Sequence, residues 1–253
     1  MTSIGAALVV AVHDGFYGCG TGAGRSNRAF LRVLREVLDP SVRLTVLPVT
    51  LAPDSAEYDA AWHQESLALT ESAGASVIPV GNGTGGRTRF GGLANFQLAS
   101  AGAAAEITHI LSRASPALAV AFDAPFFGTA LALAPQYAAR TVNVARATAA
   151  LHAPEDHERT QWERRGLLAT ARAGGHVAAT SRHIRQHLTA AYGIPPSAVT
   201  DLVNGLTPGE DRPAPPATPP VSCPGRPPGG SCCPSAGLSR TKASTTSSAP
   251  CRS

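Results

Sequence analysis

The chain has 253 residues, 43% of them hydrophobic and 15% charged, which is enough to bury the core of one large domain or of two small ones. Its net charge of +4 comes from scattered arginines, with Lys242 as the single lysine, and this scatter argues against a nucleic-acid-binding surface. No stretch reaches about eighteen apolar residues, the length of a membrane-spanning helix. Residues 4–12 are apolar but lack the basic start and small-residue cleavage site of a signal peptide, so we expect a cytoplasmic protein.

Short apolar runs and helical patterns alternate along the first two hundred residues. The first run, residues 7–12, is apolar throughout, which is typical of a parallel strand buried on both faces. Six further strands are predicted at residues 42–49, 75–80, 116–123, 140–145, 176–180 and 198–203. The alternation predicts the α/β class, with a Rossmann-like, mostly parallel sheet and helices on both of its faces.

Capping residues and apolar spacing locate the helices between these strands. Ser26 or Asn27 is predicted to cap the first helix, and Asp54 with Glu57 forms a capping box for the second, which runs toward residue 73. Further helices are expected up to residue 111, over about residues 155–172, and after the capping residue Ser181. The predicted apolar face of the first helix consists of Phe30, Val33, Leu34, Val37 and Leu38.

The composition changes abruptly after Leu206. From Thr207 onward the chain consists mainly of Pro, Gly, Ser, Thr, Arg and Cys, and it buries too little apolar surface to offset the entropy of ordering. We therefore expect a domain over residues 1–206 and a disordered Pro/Ser/Cys-rich tail over residues 207–253, either a genuine tail or the product of a frameshift or truncation. The tail cysteines lack zinc-site spacing, so no metal is expected; they are Cys223, Cys232, Cys233 and Cys251.

The loop after the first strand, residues 13–28, is rich in glycine and leads into a helix. Glycine lets the backbone approach a ligand closely, and free N–H groups at a helix start favour an anion. Gly18, Gly20 and Ala23 fit the loose dinucleotide-binding form G-x-G-x-x-A, although they begin well after the strand ends. The pattern favours a ligand-binding loop over a flexible surface loop, and it excludes a Walker A loop because Arg25 rather than lysine follows Gly24.

Two polar residues follow later strands. Asp123 ends the fourth strand, where a carboxylate faces the crevice in which α/β sheets bind ligands, unless it only caps the next helix. His152 follows the fifth strand and can lie in the same crevice, although a lone histidine is often an ordinary surface residue.

Three segments together resemble the N-terminal domain of GT-B glycosyltransferases, in the large retaining family (family 4 type) that includes many sugar and polysaccharide synthases. Residues 122–135 are similar to that family's D-W-x-T-A-L-x-P stretch, and residues 20–24 resemble its glycine loop. In the family, the domain closes with a strand that delivers a serine, a helix that runs to Y-G-I, and a strand that ends in N-G. The matching residues here are Asp123, Thr129 and Pro135, then Ser181, Tyr192, Gly193, Ile194, Asn204 and Gly205.

The resemblance implies transfer of a sugar from a nucleotide-activated donor to a small-molecule or glycan acceptor, with retained anomeric configuration and without cofactor or metal. It implies that Asp123 holds acceptor hydroxyls, that His152 hydrogen-bonds the transferred sugar, and that Asn204 is among the substrate-binding residues. The implied contacts to the donor diphosphate come from Gly20, Thr21, Gly22, Gly24 and Arg25.

The sequence departs from this family in two respects. The family commonly has a histidine after the fifth strand, whereas residues 145–148 read Ala-Arg-Ala-Thr and His152 comes later. We expect no donor-binding second domain within residues 207–253, so an inactive fragment is one alternative. Another is a nucleotide- or dinucleotide-binding Rossmann-like module without transferase activity, for which an acidic residue is expected at the end of the second strand.

Overall fold

The computed structural model describes residues 5–205, which fold around a parallel sheet. In this part of the chain the sheet has seven strands in the order β3-β2-β1-β4-β5-β6-β7, and every neighbouring pair is parallel. The predicted α/β class and Rossmann-like sheet are confirmed. The strands are β1 (Ala7–Val12), β2 (Arg43–Pro48), β3 (Ser76–Val77), β4 (Ala117–Phe122), β5 (Thr141–Ala145), β6 (His176–Ala179) and β7 (Val199–Asp201).

Eight α-helices connect the strands of the described residues, and two short 3₁₀ turns lie at residues 124–126 and 196–198. Five of these helices are longer than two turns, and three are single turns. The helices are α1 (Gly22–Val37), α2 (Ala60–Ser72), α3 (Leu93–Leu111), α4 (Thr129–Ala132), α5 (Pro135–Ala138), α6 (Ala149–His152), α7 (His157–Arg172) and α8 (Arg182–Ala190).

Helices cover both faces of the sheet because successive side chains of each strand point to opposite sides. Val9 of β1 shares a buried cluster with Ile107 of α3. Its neighbour Val10 belongs to a different cluster, with Leu31 of α1. A third cluster joins α7 and α8 to β5 and β6. β1 is buried along its whole length, as its uninterrupted apolar sequence predicts.

The order in which strands are added to the sheet reverses between β1 and β4. These strands are neighbours, but β2 and β3 follow on one side while β5, β6 and β7 follow on the other. Open α/β sheets bind ligands outside the carboxyl ends of their strands at such a reversal. Here the two strand ends are followed directly by His13 and Asp123, so the topology places these side chains at the ligand-binding position.

The first helix differs from its prediction in both start and orientation. It begins at Gly22 with Thr21 as its N-cap, so Ser26 and Asn27 are buried inside the helix rather than capping it. The predicted apolar face is also partly wrong, because Val33 is 51% exposed and Val37 is 70% exposed. The buried side includes polar side chains that have tertiary partners, and apolar spacing alone does not reveal such partners.

The capping box predicted for the second helix is wrong. Asp59 is the N-cap of α2, and its Oδ1 accepts the Trp62 N–H at 3.0 Å. Glu57 instead accepts hydrogen bonds from the backbone N–H and the Nε of Arg89. The Glu57 carboxylate therefore binds the loop that carries Arg89 rather than capping its own helix. The Ser181 cap of α8 is confirmed, since its hydroxyl accepts the Ile184 N–H at 3.2 Å.

The predicted tail, residues 207–253, lies outside the described residues. Within residues 5–205, no helix is both long enough and apolar enough to span a membrane.

Candidate functional site

A cleft opens at the carboxyl edge of the sheet, where β1, β4 and β5 end. Its volume is about 570 Å³, within the usual size of small-molecule sites, which is roughly 300–1,000 Å³. Both residues predicted to be catalytic, Asp123 and His152, line it, as does Thr21 of the predicted loop. The other lining residues are His13, Ala23, Phe90, Gly91, Phe96, Ala124, Pro125, Arg146, Ala147 and Arg159.

Asp123 contacts two other polar residues that line this cleft. Its Oδ2 accepts a hydrogen bond from Arg146 Nη1 at 2.7 Å, and the same oxygen lies 3.6 Å from His13 Nδ1. The 3₁₀ turn that follows Asp123 receives no capping hydrogen bond from its side chain. The carboxylate is therefore directed into the cleft rather than used as a local cap.

The backbone of Asp123 is strained. Its φ of 70° and ψ of 177° make it the one non-glycine residue with positive φ in the described chain. Such a conformation costs about 1–3 kcal/mol and persists only where surrounding structure holds it. Here the Asp123 N–H donates to the Val144 carbonyl and its carbonyl accepts the Phe126 N–H, at 2.9 and 3.0 Å. Strain of this kind is concentrated at functional sites, which supports a role for the Asp123 carboxylate.

His13 has an unsatisfied ring nitrogen. The side chain is almost fully buried, and Nδ1 has no hydrogen-bond partner among the described residues. Burial lowers the pKa of His13, and the nearby carboxylates of Asp123 and Asp14 oppose that shift only in part. The imidazole is therefore neutral near pH 7 and able to accept a proton.

Arg146 links the cleft to two other parts of the fold. Besides Asp123, its Nη1 donates to Asn27 Oδ1 at 2.8 Å, and its Nε donates to Asn204 Oδ1 at 2.9 Å. The predicted site residue Asn204 thus contacts the cleft through Arg146 and does not itself line it. Arg146 occupies the segment where the resembled family commonly has histidine, so a fixed cation stands at the end of β5.

The glycine-rich loop is held together by a buried carboxylate. Asp14 accepts hydrogen bonds from the Gly15 and Gly20 N–H groups at 2.8 and 3.2 Å, and from the Thr21 hydroxyl at 2.7 Å. It also pairs with Arg89, a buried side chain from the loop before α3. The N–H of Gly20, which was predicted to bind a diphosphate, is therefore directed toward Asp14.

The predicted donor-binding residues are divided between two cavities. Thr21 borders both the cleft and a second cavity of about 340 Å³ on the other side of the loop. Gly20, Gly22 and Arg25 line only the second cavity. Gly24 lines neither, because it packs on the Asp14 carboxylate. Among these predicted residues, Gly22 is the first residue of α1. Backbone N–H groups at the start of a helix, here those of Gly22 and Ala23, have no intrahelical acceptor.

Two glycines of this loop form a matched pair for mutation. A Cβ at Gly24 would lie 2.8 Å from the Asp14 carboxylate carbon, whereas a Cβ at Gly22 would meet nothing within 4 Å. We expect Gly24→Ala to lower the free energy of unfolding by about 1–3 kcal/mol through overpacking. Gly22→Ala should leave it unchanged or slightly higher, since alanine favours the helix. Urea denaturation measures both, and equal effects would contradict the Asp14 anchor.

His152 is exposed at the end of α6, and a buried glutamate fixes the start of that helix. Glu163 of α7 accepts the Ala149 N–H and the Tyr192 hydroxyl on Oε2, both at 2.8 Å. Its Oε1 accepts from Arg159 Nε at 2.9 Å. Burial raises the pKa of the Glu163 carboxyl, although these donors oppose the shift. Glu163 thereby positions both Arg159 and the turn that carries His152.

The Tyr192–Glu163 hydrogen bond predicts a dependence of stability on alkaline pH. Burial, followed by the charge of Glu163, raises the pKa of Tyr192 to about 12. An unfolded tyrosine titrates near pH 10. Between about pH 10 and 12 the Tyr192 hydroxyl is therefore ionised in the unfolded chain but still protonated in the folded one. The stabilisation from this hydrogen bond is complete below about pH 10 and is lost as pH rises through this range.

We expect Tyr192→Phe to lower the free energy of unfolding by about 1–3 kcal/mol at neutral pH, because a hydrogen bond to a buried carboxylate is lost. The variant should also lose less stability than the wild type between about pH 10 and 12. Denaturant titrations at several pH values, with Tyr137→Phe as the control, measure both effects. An unchanged alkaline slope would rule out this assignment.

Several residues of the site were not sequence candidates. His13 directly follows β1 just as Asp123 follows β4, so the strand-end rule that selected Asp123 also selects His13. Arg89 and Glu163 carry no comparable signal, since each lies in a polar stretch where a solvent-exposed charge is the ordinary expectation. Among the described residues, no group of three His, Cys, Asp or Glu side chains is arranged to hold a metal ion.

Neither the family models nor the curated proteins give a match to this chain. Among solved structures, the chain is similar to the glycotransferase of kitacinnamycin, with 11% sequence identity and a TM-score of 0.41. The similarity covers 83% of this chain and 54% of that chain, so this chain spans about half the length of that structure.

Proposed function

We propose that this chain carries the acceptor side of a glycosyltransferase active site, in which a sugar passes from a nucleotide-activated donor to an acceptor hydroxyl. The observation that supports this best is the His13–Asp123 pair at the reversal point of the sheet. A neutral, buried imidazole lies beside a carboxylate that is held in a strained backbone conformation. This combination suits the activation of a hydroxyl group.

In the proposed reaction, the acceptor oxygen forms a bond to the anomeric carbon as the bond from that carbon to the diphosphate breaks. His13 takes the acceptor proton, and Asp123 stabilises the imidazolium that results. Positioning of a base contributes roughly 10²–10⁴-fold to such reactions. Arg146 fixes the Asp123 carboxylate by donating to the same Oδ2 at 2.7 Å.

The donor diphosphate is proposed to lie at the start of α1, between the cleft and the second cavity. The positive end of the helix macrodipole attracts an anion there. Gly22 heads the helix, Thr21 borders both cavities, and Arg25 supplies a cation. In this proposal Gly20 and Gly24 shape the loop against Asp14, and His152 hydrogen-bonds the transferred sugar.

The stereochemistry of transfer separates two mechanisms. The sequence resemblance implies retention, and retention is our proposal: the acceptor oxygen bonds to the face of the anomeric carbon from which the diphosphate departs. A base beside the acceptor hydroxyl, as in the His13–Asp123 pair, also suits a second candidate, displacement from the opposite face, which inverts the anomeric carbon. Proton NMR of the first-formed product from a donor of known configuration distinguishes these. Both mechanisms require a bound donor, and calorimetric titration with nucleotide sugars tests that binding. Absence of both donor binding and sugar transfer would contradict the proposed function.

A dinucleotide-binding module without transferase activity has less support. That function is expected to place an acidic residue at the end of β2, to bind a ribose. Pro48 ends β2, and Val49, Thr50 and Leu51 follow it. The loop between β1 and α1 is also long, from His13 to Thr21, rather than a tight turn.

A further inference from the structure

Two arginines and one aspartate are the charged residues that line the cleft beside the histidines His13 and His152. They are Arg146, Arg159 and Asp123. Among these lining residues the cations outnumber the anion. Which ligand this charge suits depends on the guanidinium N–H groups that the protein itself leaves without acceptors.

The guanidinium of Arg159 is held by the protein on one edge and one face. Its Nε donates to Glu163 Oε1 at 2.9 Å, and the Glu163 side chain is fully buried. Its central carbon lies 4.7 Å from the centre of the Phe96 ring. The two terminal nitrogens, Nη1 and Nη2, have no hydrogen-bond partner among residues 5–205, although the side chain is only 24% exposed. This Nη1–Nη2 edge can donate two parallel bonds to a carboxylate or a phosphate.

Arg146 and Asp123 also leave one terminal atom each without a protein partner. Arg146 Nη1 donates to Asp123 and Asn27, and its Nε donates to Asn204. No acceptor for Arg146 Nη2 lies in the described part of the chain, and this side chain is 10% exposed. Asp123 uses Oδ2 for Arg146, whereas its Oδ1 has no donor there. The cleft thus offers a ligand N–H groups from two guanidiniums and one carboxylate oxygen.

Unpaired guanidinium N–H groups favour a ligand that brings charged oxygens. A polar group that loses water without gaining a partner is penalised, so these donors need acceptors once a ligand fills the cleft. Hydrogen bonds between two charged groups are roughly twice as strong as neutral ones. Because Glu163 and Phe96 already hold Arg159, binding of an anion orders little additional side chain.

We infer that the ligand of this cleft carries an anionic oxygen group, a carboxylate or a phosphate, which binds the Nη1–Nη2 edge of Arg159. That this ligand is the acceptor, with a hydroxyl group at His13 and Asp123, rests on the proposed function. The preference for an anion does not, and it is measured without any sugar transfer. The donor diphosphate is the competing occupant of this edge, and the experiment separates the two.

Equilibrium titration of the full chain compares glucose, glucuronate and glucose 6-phosphate. The three probes share a hydroxyl-bearing ring, and the last two add a carboxylate or a phosphate at the same end of it. We expect both anionic probes to bind at least about tenfold more tightly than glucose, because they form charge-assisted hydrogen bonds. Added salt should reduce this preference. Equal affinity for all three probes, or no binding of either anionic probe, overturns the inference.

Three variants assign the preference to Arg159. Arg159→Gln should reduce the difference between glucuronate and glucose to within about twofold. Arg159→Lys keeps a cation for the buried Glu163 but has no paired edge, so it should also lose most of the preference. Arg165→Gln, at an exposed position of α7, is the control and should keep it. Thermal melting shows that each variant is folded, and an unchanged preference in folded Arg159→Lys overturns the inference.

UDP tests the competing occupant. We expect Arg159→Lys to leave the affinity for UDP unchanged, because the diphosphate is proposed to lie at the start of α1. A UDP affinity that falls as much as the glucuronate affinity, or more, assigns this edge to the donor and overturns the inference. Failure of sugar transfer while the preference for anions persists contradicts only the proposed function.

Discussion

Replacement of His13 by glutamine is expected to lower sugar transfer by roughly 10²–10⁴-fold, the usual contribution of a positioned base. Glutamine has a similar size but cannot take the acceptor proton at neutral pH. Because burial lowers the pKa of His13, the acid limb of the wild-type rate profile should lie below the ordinary histidine value of 6.5. Activity is lost as pH falls through that lowered pKa, since the protonated ring is no longer a base. Initial rates across the pH range measure both effects.

Three further variants make this prediction specific. His183→Gln alters an exposed histidine on α8 and should leave transfer unchanged. Asp123→Asn should also reduce transfer, and the double variant with His13→Gln should be little worse than either single variant, because residues that act as a unit are not additive. Additive losses would mean that His13 and Asp123 act separately. Near-normal transfer by His13→Gln would exclude it as the base.

The largest expected effect on stability is that of Arg89→Met. Arg89 is 3% exposed, and its guanidinium pairs with Asp14 and with Glu57. It also donates to the Glu57 carbonyl at 2.6 Å. Methionine fills similar space but leaves the fully buried Asp14 carboxylate without its cation. Breaking a buried pair from one side costs about 3–5 kcal/mol.

For a domain of this size, that loss corresponds to a fall in Tm of roughly 6–20 °C, at about 2–4 °C per kcal/mol. The control is Arg185→Met, which removes an ion pair with Asp201 at 2.8 Å on the exposed edge of the sheet. Exposed pairs contribute at most about 1 kcal/mol. Calorimetry of both variants measures the difference. Equal shifts would show that the Arg89–Asp14 pair does not anchor the glycine-rich loop.

The sequence by itself determined the class of fold, and it selected three residues that line the cleft, Thr21, Asp123 and His152. Uninterrupted apolar runs such as β1 occur where both faces of a strand are covered, so the parallel sheet is encoded locally. The serine cap of α8 is local as well. Asp123 could be selected because the end of a buried strand in an alternating α/β chain lies at the ligand-binding edge.

Only the tertiary structure decided which polar residues are buried and what they contact. Asn27 and Arg28 interrupt the apolar pattern of α1, yet they face the interior because distant groups satisfy them, and this turns Val33 and Val37 to the surface. Glu57 bonds to Arg89 rather than capping α2 for the same reason. A charge becomes favourable in the interior only when its partner arrives from elsewhere in the chain, and local sequence patterns contain no information about that partner.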